Sequence, residues 1–480
     1  MTKKSFSVFI AWLLGFRLIE GLVQAFFPYH APHLWRQTDT LGVGIQYAQR
    51  WLEGVVGWDF WLPAVLNSGE TAGVMPMEFP LYNFLLAVGY LLSWENGALY
   101  ASLLAYGWAI FLWGTILWVW RTHRILDVPA SKIWILLPLV GQSSLYFSKL
   151  MPDFTAMAFV LLACAFVWEE KKHRPWLAFG FATVGLLIKP PVCIVFALLL
   201  LQKKKSEVLR QFPWIVASLV CTVFYYTKGL TFIRLYTQGP ELFATHLQTP
   251  WVRWAQVIPA WRELLSFIFG GILFPGGLLC MLLVYSQSHP AKKMIQRIGG
   301  LLLLQLGAIL SLDGSHSFVH RYYYIGMSPL LCIAVYLTCS TYLTGWKPTR
   351  AQRFLMILFA GLWVGAQLDR SGLELRPLLD EDLSLRKRPP FSQCQLLQKR
   401  HPEIPWQQGV VFRSDAEVFP LLGVCFGERQ GALSGAWGFY WRDTEIPTSC
   451  REIDGTAAVK LVQCDIGATT EWRFLKRGTP

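Results

Sequence analysis

Residues 6–40 read FSVFIAWLLGFRLIEGLVQAFFPYHAPHLWRQTDT. The stretch 6–27 is an apolar run long enough to cross a bilayer core, which takes about 20 residues as a helix. Lys3 and Lys4 precede it. A secretory leader is short and ends at a small-residue cleavage site. This run is long, lacks that site and carries Arg17 and Glu20 in its apolar body. It predicts an uncleaved helix with a cytoplasmic N-terminus, so the polar stretch from His33 to Thr40 emerges on the far side.

The rest of the chain extends this pattern. Of 480 residues, 54% are hydrophobic and only 15% charged, with a mean hydropathy of +0.38. Soluble proteins are about a quarter charged. The 23 Trp suit a protein with two membrane–water interfaces. This composition excludes a disordered chain, a fibrous chain and an ordinary soluble enzyme. Further apolar runs lie near 97–120, 133–148, 154–168, 176–188, 191–201, 213–227, 264–285, 299–312, 322–342 and 354–368.

The net charge of +13 is carried wholly by 1–368, which hold 28 Lys+Arg and 15 Asp+Glu; residues 369–480 balance at 15 of each. Basic residues cluster between the runs: Arg121, Arg124 and Lys132; Lys171, Lys172 and Arg174; Lys203, Lys204, Lys205 and Arg210; Lys292, Lys293 and Arg297; Lys347, Arg350 and Arg353. Such loops belong in the cytoplasm, and no water-exposed basic face of the kind a nucleic acid needs is visible. Placing them all inside takes 11 crossings and leaves 369–480 outside. The apolar stretch 79–92 has no crossing in that scheme, so the expected count is 11–13 helices. The predicted fold class is therefore a polytopic α-helical membrane protein of the inner (plasma) membrane, with a transmembrane domain at 1–368. Its first outer loop, 28–78, holds a surface helix at about 40–52, with Leu41, Ile45, Ala48 and Leu52 on one face.

Residues 369–480 open with a charged, Pro-containing linker. Short β-like runs at Gly409–Phe412 and Ala457–Val462 follow, separated by Gly-rich turns. A small extracytoplasmic α/β or mostly β domain is predicted. Its four cysteines, Cys394, Cys425, Cys450 and Cys464, fit two disulfides in an oxidising compartment, with three connectivities open. Cys164, Cys193, Cys221, Cys280, Cys332 and Cys339 fall within apolar spans, where a small buried hydrophobe is expected.

Polar residues at the outer ends of the spans carry the functional signal, because ionisable groups there are expensive unless they pair or bind something. The first cluster is Trp35-Arg36-Gln37-Thr38-Asp39, in which Asp39 could equally cap the surface helix. Glu78 lies in Met77-Glu78-Phe79-Pro80-Leu81-Tyr82, and Lys149 and Asp153 flank Met151-Pro152. Lys189 precedes Pro190-Pro191, a break tolerated where backbone lines a cavity or is buried in protein. His320-Arg321-Tyr322-Tyr323-Tyr324 marks a further boundary. Each has a structural alternative: a simple ion pair, a snorkelling lysine, an aromatic belt. Five clusters on one side, with both signs of charge, favour a site.

The Trp35–Asp39 stretch, the Met77–Tyr82 helix start and Ile188-Lys189-Pro190-Pro191 together resemble the GT-C class of membrane glycosyltransferases. The nearest group is that of bacterial relatives of the dolichyl-phosphate-mannose–protein mannosyltransferases and the lipid A aminoarabinose transferase. The resemblance covers about 1–370 in architecture. It implies a transfer from a polyprenyl-phosphate-linked sugar donor, on the extracytoplasmic side, to a glycan, lipid or protein acceptor. It places Asp39 as the base, with Arg36 and Asp153 beside it. Lys189, Arg321, Lys149, Tyr322 and Tyr323 fall on the donor phosphate, Gln37 and Tyr82 on the acceptor or sugar. Glu78 and His320 would hold a divalent metal ion if one takes part. Family members often carry a lysine directly after the acid at the second helix start. Here Phe79 and Pro80 follow Glu78; Lys189 is the substitute candidate and Arg36 the second.

The chemistry needs such a set. The lipid phosphate departs as the anomeric carbon gains oxocarbenium character, so cations must meet the leaving group while an acid guides the incoming hydroxyl. No nucleotide-binding glycine loop is present, which disfavours a nucleotide cofactor or a nucleotide-sugar donor. A lipid-linked-saccharide flippase or transporter, and a surface-polysaccharide polymerase or ligase, remain the competing classes.

Overall fold

A computed structural model describes residues 3–26, 34–63, 78–93, 96–125, 127–141, 143–169, 174–201, 205–237, 292–312, 321–343, 350, 354, 400–401, 437–441, 450–455 and 459–464. The runs expected at 264–285 and 354–368, the strand expected at Gly409–Phe412, and Cys280, Cys394, Cys425 and His320 lie outside these, save the single residue Phe354.

The described chain is mostly helical. Helices α1 (Lys3–Phe26), α2 (Leu34–Leu52), α3 (Leu81–Leu92), α4 (Gly97–Val119), α5 (Asp153–Trp168), α6 (Pro175–Ile188), α7 (Lys205–Phe224), α8 (Lys292–Leu312) and α9 (Ser328–Leu343) form its frame. Among the described residues three stretches are long and apolar enough to cross a membrane: Ser7–Phe26, Gly97–Thr122 and Phe212–Ile233. Their outer faces suit lipid. Trp12, Ile19 and Leu22 on α1, Phe111 and Trp118 on α4, and Val220, Val223 and Phe224 on α7 are all exposed. In water such surfaces would drive association; against acyl chains they need no partner.

Helix α5 is the hub of the core. From Asp153 to Trp168 nearly every side chain is buried, and it packs against α4, α6 and the 3₁₀-helical segment Pro190–Leu201. Contact with α6 is close because Gly185 has no side chain. A Cβ there would lie 2.7 Å from Val160 Cγ2 and 2.8 Å from the Ala156 carbonyl. Gly89 does the same for α3 against the backbone of Ala101 on α4. Two glycines thus permit the close helix approaches around α5 and between α3 and α4.

Several expectations change. The run 133–148 is not one helix. It breaks into turns at Ala130–Trp134, Leu137–Leu139 and Ser143–Tyr146. Pro138 removes a backbone donor and Gly141 adopts a left-handed φ of 59°. The first-loop helix starts at Leu34 rather than near 40. Asp39 therefore sits inside α2 and is not its N-cap. Of the predicted face, Leu41, Ile45 and Ala48 are fully buried, while Leu52 at the end is exposed. Residues 79–92 become α3, whose 12 residues span about 18 Å at 1.5 Å per residue, short of a crossing. The run 213–227 is part of a longer rod: α7 passes through a π-helical turn, Tyr225–Gly229, into Leu230–Thr237. Cys164 and Cys332 are buried as expected, but Cys221 on α7 is exposed.

In the C-terminal region the described strands, β3 (Trp437–Trp441), β4 (Cys450–Gly455) and β5 (Val459–Cys464), form one antiparallel sheet in the order β3-β5-β4. The two-residue strands β1 (Arg124–Ile125) and β2 (Val128–Pro129) make a hairpin after α4. The β-like run at Ala457–Val462 is thus a strand, displaced by two residues.

Candidate active site

The break at the end of α6 creates the centre of the site. Two prolines cannot continue a helix, and the first forces Lys189 out of the helical region, to φ −155° and ψ 97°. The segment resumes as the 3₁₀ run from Pro190. At this corner the Leu187 carbonyl accepts two hydrogen bonds, from the Phe79 N–H at 3.1 Å and from the Tyr226 hydroxyl at 2.8 Å. The short turn before α3 is thereby stitched to the end of α6.

That stitch brings Glu78 to Lys189. The Lys189 ammonium pairs with Glu78 Oε1, and both side chains are buried. A buried ammonium or carboxylate is tolerable only when paired, and each of these residues supplies such a partner to the other. No lysine directly follows Glu78 in sequence; the ammonium beside it comes from 111 residues away. The ring of Tyr323, in the 3₁₀ turn Arg321–Met327, lies 5.5 Å from the Lys189 nitrogen, a cation–π distance.

A second set converges on α3. Tyr82 is buried and its hydroxyl reaches the Lys149 carbonyl at 3.4 Å. Asp153, fully buried at the first turn of α5, is an electrostatic neighbour of Tyr82. Asn83, next to Tyr82, donates to the Thr40 carbonyl at 2.6 Å. Thr40 follows Asp39 directly, so α2 is fixed to α3 at the position of the expected base. Gln37 is buried one turn earlier.

Lys189 thus meets Glu78 on one side and Tyr323 on the other, and Tyr82 meets the Lys149 carbonyl and neighbours Asp153. For Arg36, Asp39, Arg321 and Tyr322 the backbone alone is described: the first two on α2, the others beside Tyr323. Among the described residues no group of three His, Cys, Asp or Glu side chains could hold a metal ion, and Glu78 is engaged by Lys189.

Two features were not read from the sequence. Tyr225 and Tyr226 sit in the π turn of α7; the ring of Tyr225 meets Phe79 edge-on at 5.6 Å. A π turn widens a helix locally and commonly marks functional positions, but its sequence, Tyr225-Tyr226-Thr227-Lys228-Gly229, reads as a helix end. The other is a polar track on α1. Arg17 pairs with Glu20, and Gln24 accepts from the Ser148 hydroxyl at 2.6 Å, beside Lys149. Glu20 Oε1 has no hydrogen-bond partner among the described residues. It borders a cavity of about 10 Å³ between α1 and the Pro138–Ser148 region, room for roughly one water. The charges within an apolar span were the available signal.

Long apolar helices and a helix broken at Lys189 give the described residues a mostly helical, membrane-type frame. The chain is similar in fold to ArnT from Cupriavidus metallidurans, a lipid A aminoarabinose transferase of the GT-C family. The match to its apo crystal structure has a TM-score of 0.53 at 14% identity, covering 95% of this chain and 98% of that one. The match to ArnT bound to undecaprenyl phosphate has a TM-score of 0.53 at 15% identity, covering 96% and 98%. At this identity the likeness is one of fold. No protein-family profile matches the sequence, and neither does any curated protein.

Proposed function

We propose that this protein is an integral membrane glycosyltransferase. It moves a sugar from a polyprenyl-phosphate-linked donor to an acceptor on the extracytoplasmic side, the side to which the distribution of lysine and arginine assigns the site. The observation that carries the reading is the buried Glu78–Lys189 pair at the α3–α6 corner. It is supported by a fold shared with a protein that has been crystallised with undecaprenyl phosphate.

In this mechanism the bond between the anomeric carbon and the phosphate oxygen breaks, and the acceptor hydroxyl oxygen bonds to that carbon. Asp39 accepts the hydroxyl proton. Lys189 faces the departing phosphate, with Lys149, Arg321 and Arg36 sharing its negative charge. Glu78 holds Lys189 in place, and Tyr323 covers its cation. Tyr82, Asp153 and Gln37 line the sugar and acceptor side, and Tyr322 stands with the phosphate group. A divalent ion at Glu78 and His320 would compete with Lys189 for the carboxylate, so no step is routed through one.

The test uses the full chain in lipid nanodiscs. Undecaprenyl phosphate binding should be at least tenfold weaker in Lys189→Met than in the wild type. Asp39→Asn should bind that lipid normally, yet leave labelled sugar on the lipid-linked pool of cell membranes. A wild-type protein indifferent to undecaprenyl phosphate, or an Asp39→Asn variant that still transfers, would overturn the assignment.

A further inference from the structure

The cysteines of the C-terminal region are connected by the sheet. Strands β4 and β5 are antiparallel neighbours, and their register sets Cys450 directly opposite Cys464, followed by Arg451 opposite Gln463 and Glu452 opposite Val462. The irregularity in this ladder falls beyond Glu452, so the cysteine end of the pairing is regular. Directly opposed residues on antiparallel strands have Cα atoms about 4.5–5.5 Å apart, and a disulfide requires about 4.4–6.8 Å. Opposed residues also project from the same face of the sheet. Cys450 opens β4 and Cys464 closes β5, so a link there ties off the open end of the hairpin.

We propose that Cys450 and Cys464 form a disulfide, which selects one of the three connectivities and leaves Cys394 and Cys425 as the other pair. The bond forms between the two sulfurs as both thiols give up their hydrogens, two electrons and two protons in all. The acceptor is the disulfide of an extracytoplasmic thiol–disulfide oxidoreductase, which is reduced to a dithiol. The link encloses the strand pair carrying Asp454, to which Arg400 and His401 are joined at 3.4 and 3.0 Å. It thereby stabilises the strand on which the earlier Arg400–His401 segment docks. The inference rests on the register and on the extracytoplasmic placement of 369–480. It is independent of the glycosyl-transfer chemistry.

The experiment is peptide mapping of the full chain from membranes, with free thiols blocked by N-ethylmaleimide before denaturation and no reductant added. Trypsin releases Cys450 in 443–451 (DTEIPTSCR) and Cys464 in 461–473 (LVQCDIGATTEWR). The expected product is these two peptides joined, lighter than their sum by two hydrogens. In Cys450→Ser, Cys464 should become blocked while Cys394 and Cys425 stay unblocked. Recovery of either 450 or 464 as a blocked thiol in the wild type, or joined to 394 or 425, overturns the proposal. Mild oxidation of the membranes tells the two failures apart: a link that then appears indicts the compartment, and one that never appears indicts the register.

Discussion

Among the described residues, two buried ion pairs differ in how they are assembled. Arg17 and Glu20 are three residues apart on α1 and come together as soon as that helix forms. Glu78 and Lys189 are 111 residues apart and meet only after α3 and α6 have docked end to end. The local pair neutralises a charged span while it enters the bilayer, where an unpaired charge at mid-helix costs about 2.5–3.5 kcal/mol. The distant pair does nothing for insertion. It is formed at the cost of a broken helix and a buried lysine, and it stands where α2, α3, α5 and α6 bring their polar residues together. Burial alone therefore does not distinguish the two; the place of assembly does.

The largest effect should come from breaking the distant pair. Lys189→Met takes the ammonium of the pair away from a buried carboxylate, a change worth about 3–5 kcal/mol. A drop in the thermal stability of the detergent-solubilised chain is expected together with loss of sugar transfer. The double variant Glu78→Gln/Lys189→Met removes both charges and should recover most of the stability and none of the transfer. If the double variant transferred sugar, the pair would be structural and the comparison with α1 would lose its point.

A smaller effect is expected at the local pair. Arg17→Met strands Glu20, but the adjoining cavity has room for a water, so the penalty should be nearer 1–3 kcal/mol. Membrane insertion and yield should fall while the activity per folded molecule stays within a few-fold of wild type. Gln24→Leu, which removes the acceptor for Ser148, should cost about 1 kcal/mol. Because Ser148 adjoins Lys149, a rise in the apparent donor KM with kcat retained would tie this track to the site.

These contrasts also mark what could be read from sequence. The spans that became α1, α4, α5 and α6 were legible because unbroken apolar runs have one stable arrangement in a bilayer. The break at Lys189 was legible because Pro190 and Pro191 dictate it locally. The break at 133–148 is encoded by Pro138 and Gly141, but the unbroken hydropathy of the run masks that local backbone signal. Likewise Trp35–Thr38 read as loop, since an amphipathic first turn looks polar when taken without its partner α3. The candidate residues were recognisable by their expense, but not their partners. Nothing within Met77–Tyr82 encodes that its lysine comes from 189, nor does anything around Cys450 name Cys464. Both facts belong to tertiary structure.

A third cluster separates burial from sequence distance. Asp454 on β4 meets Arg400 and His401, more than 50 residues away, but on an accessible surface. Burial is the largest single influence and pushes its carboxyl up; the Gly455 N–H, the His401 ring and the Arg400 guanidinium together outweigh it and hold the group below the usual aspartate value. A lowered folded-state value means that the contribution is complete above the unfolded pKa of about 3.9. It disappears as the pH falls through the folded value. Exposed pairs of this kind are worth under about 1 kcal/mol and are screened by salt. His401→Ala should therefore speed proteolysis of the C-terminal region only modestly at pH 7, by less at 1 M salt, where the screening length shrinks to about 3 Å. The difference from wild type should shrink in acid, as the pH falls below the usual aspartate value and through the lowered one. A loss as large as that of Lys189→Met, or one indifferent to salt, would mean that distance along the chain, rather than exclusion of water, sets the worth of these pairs.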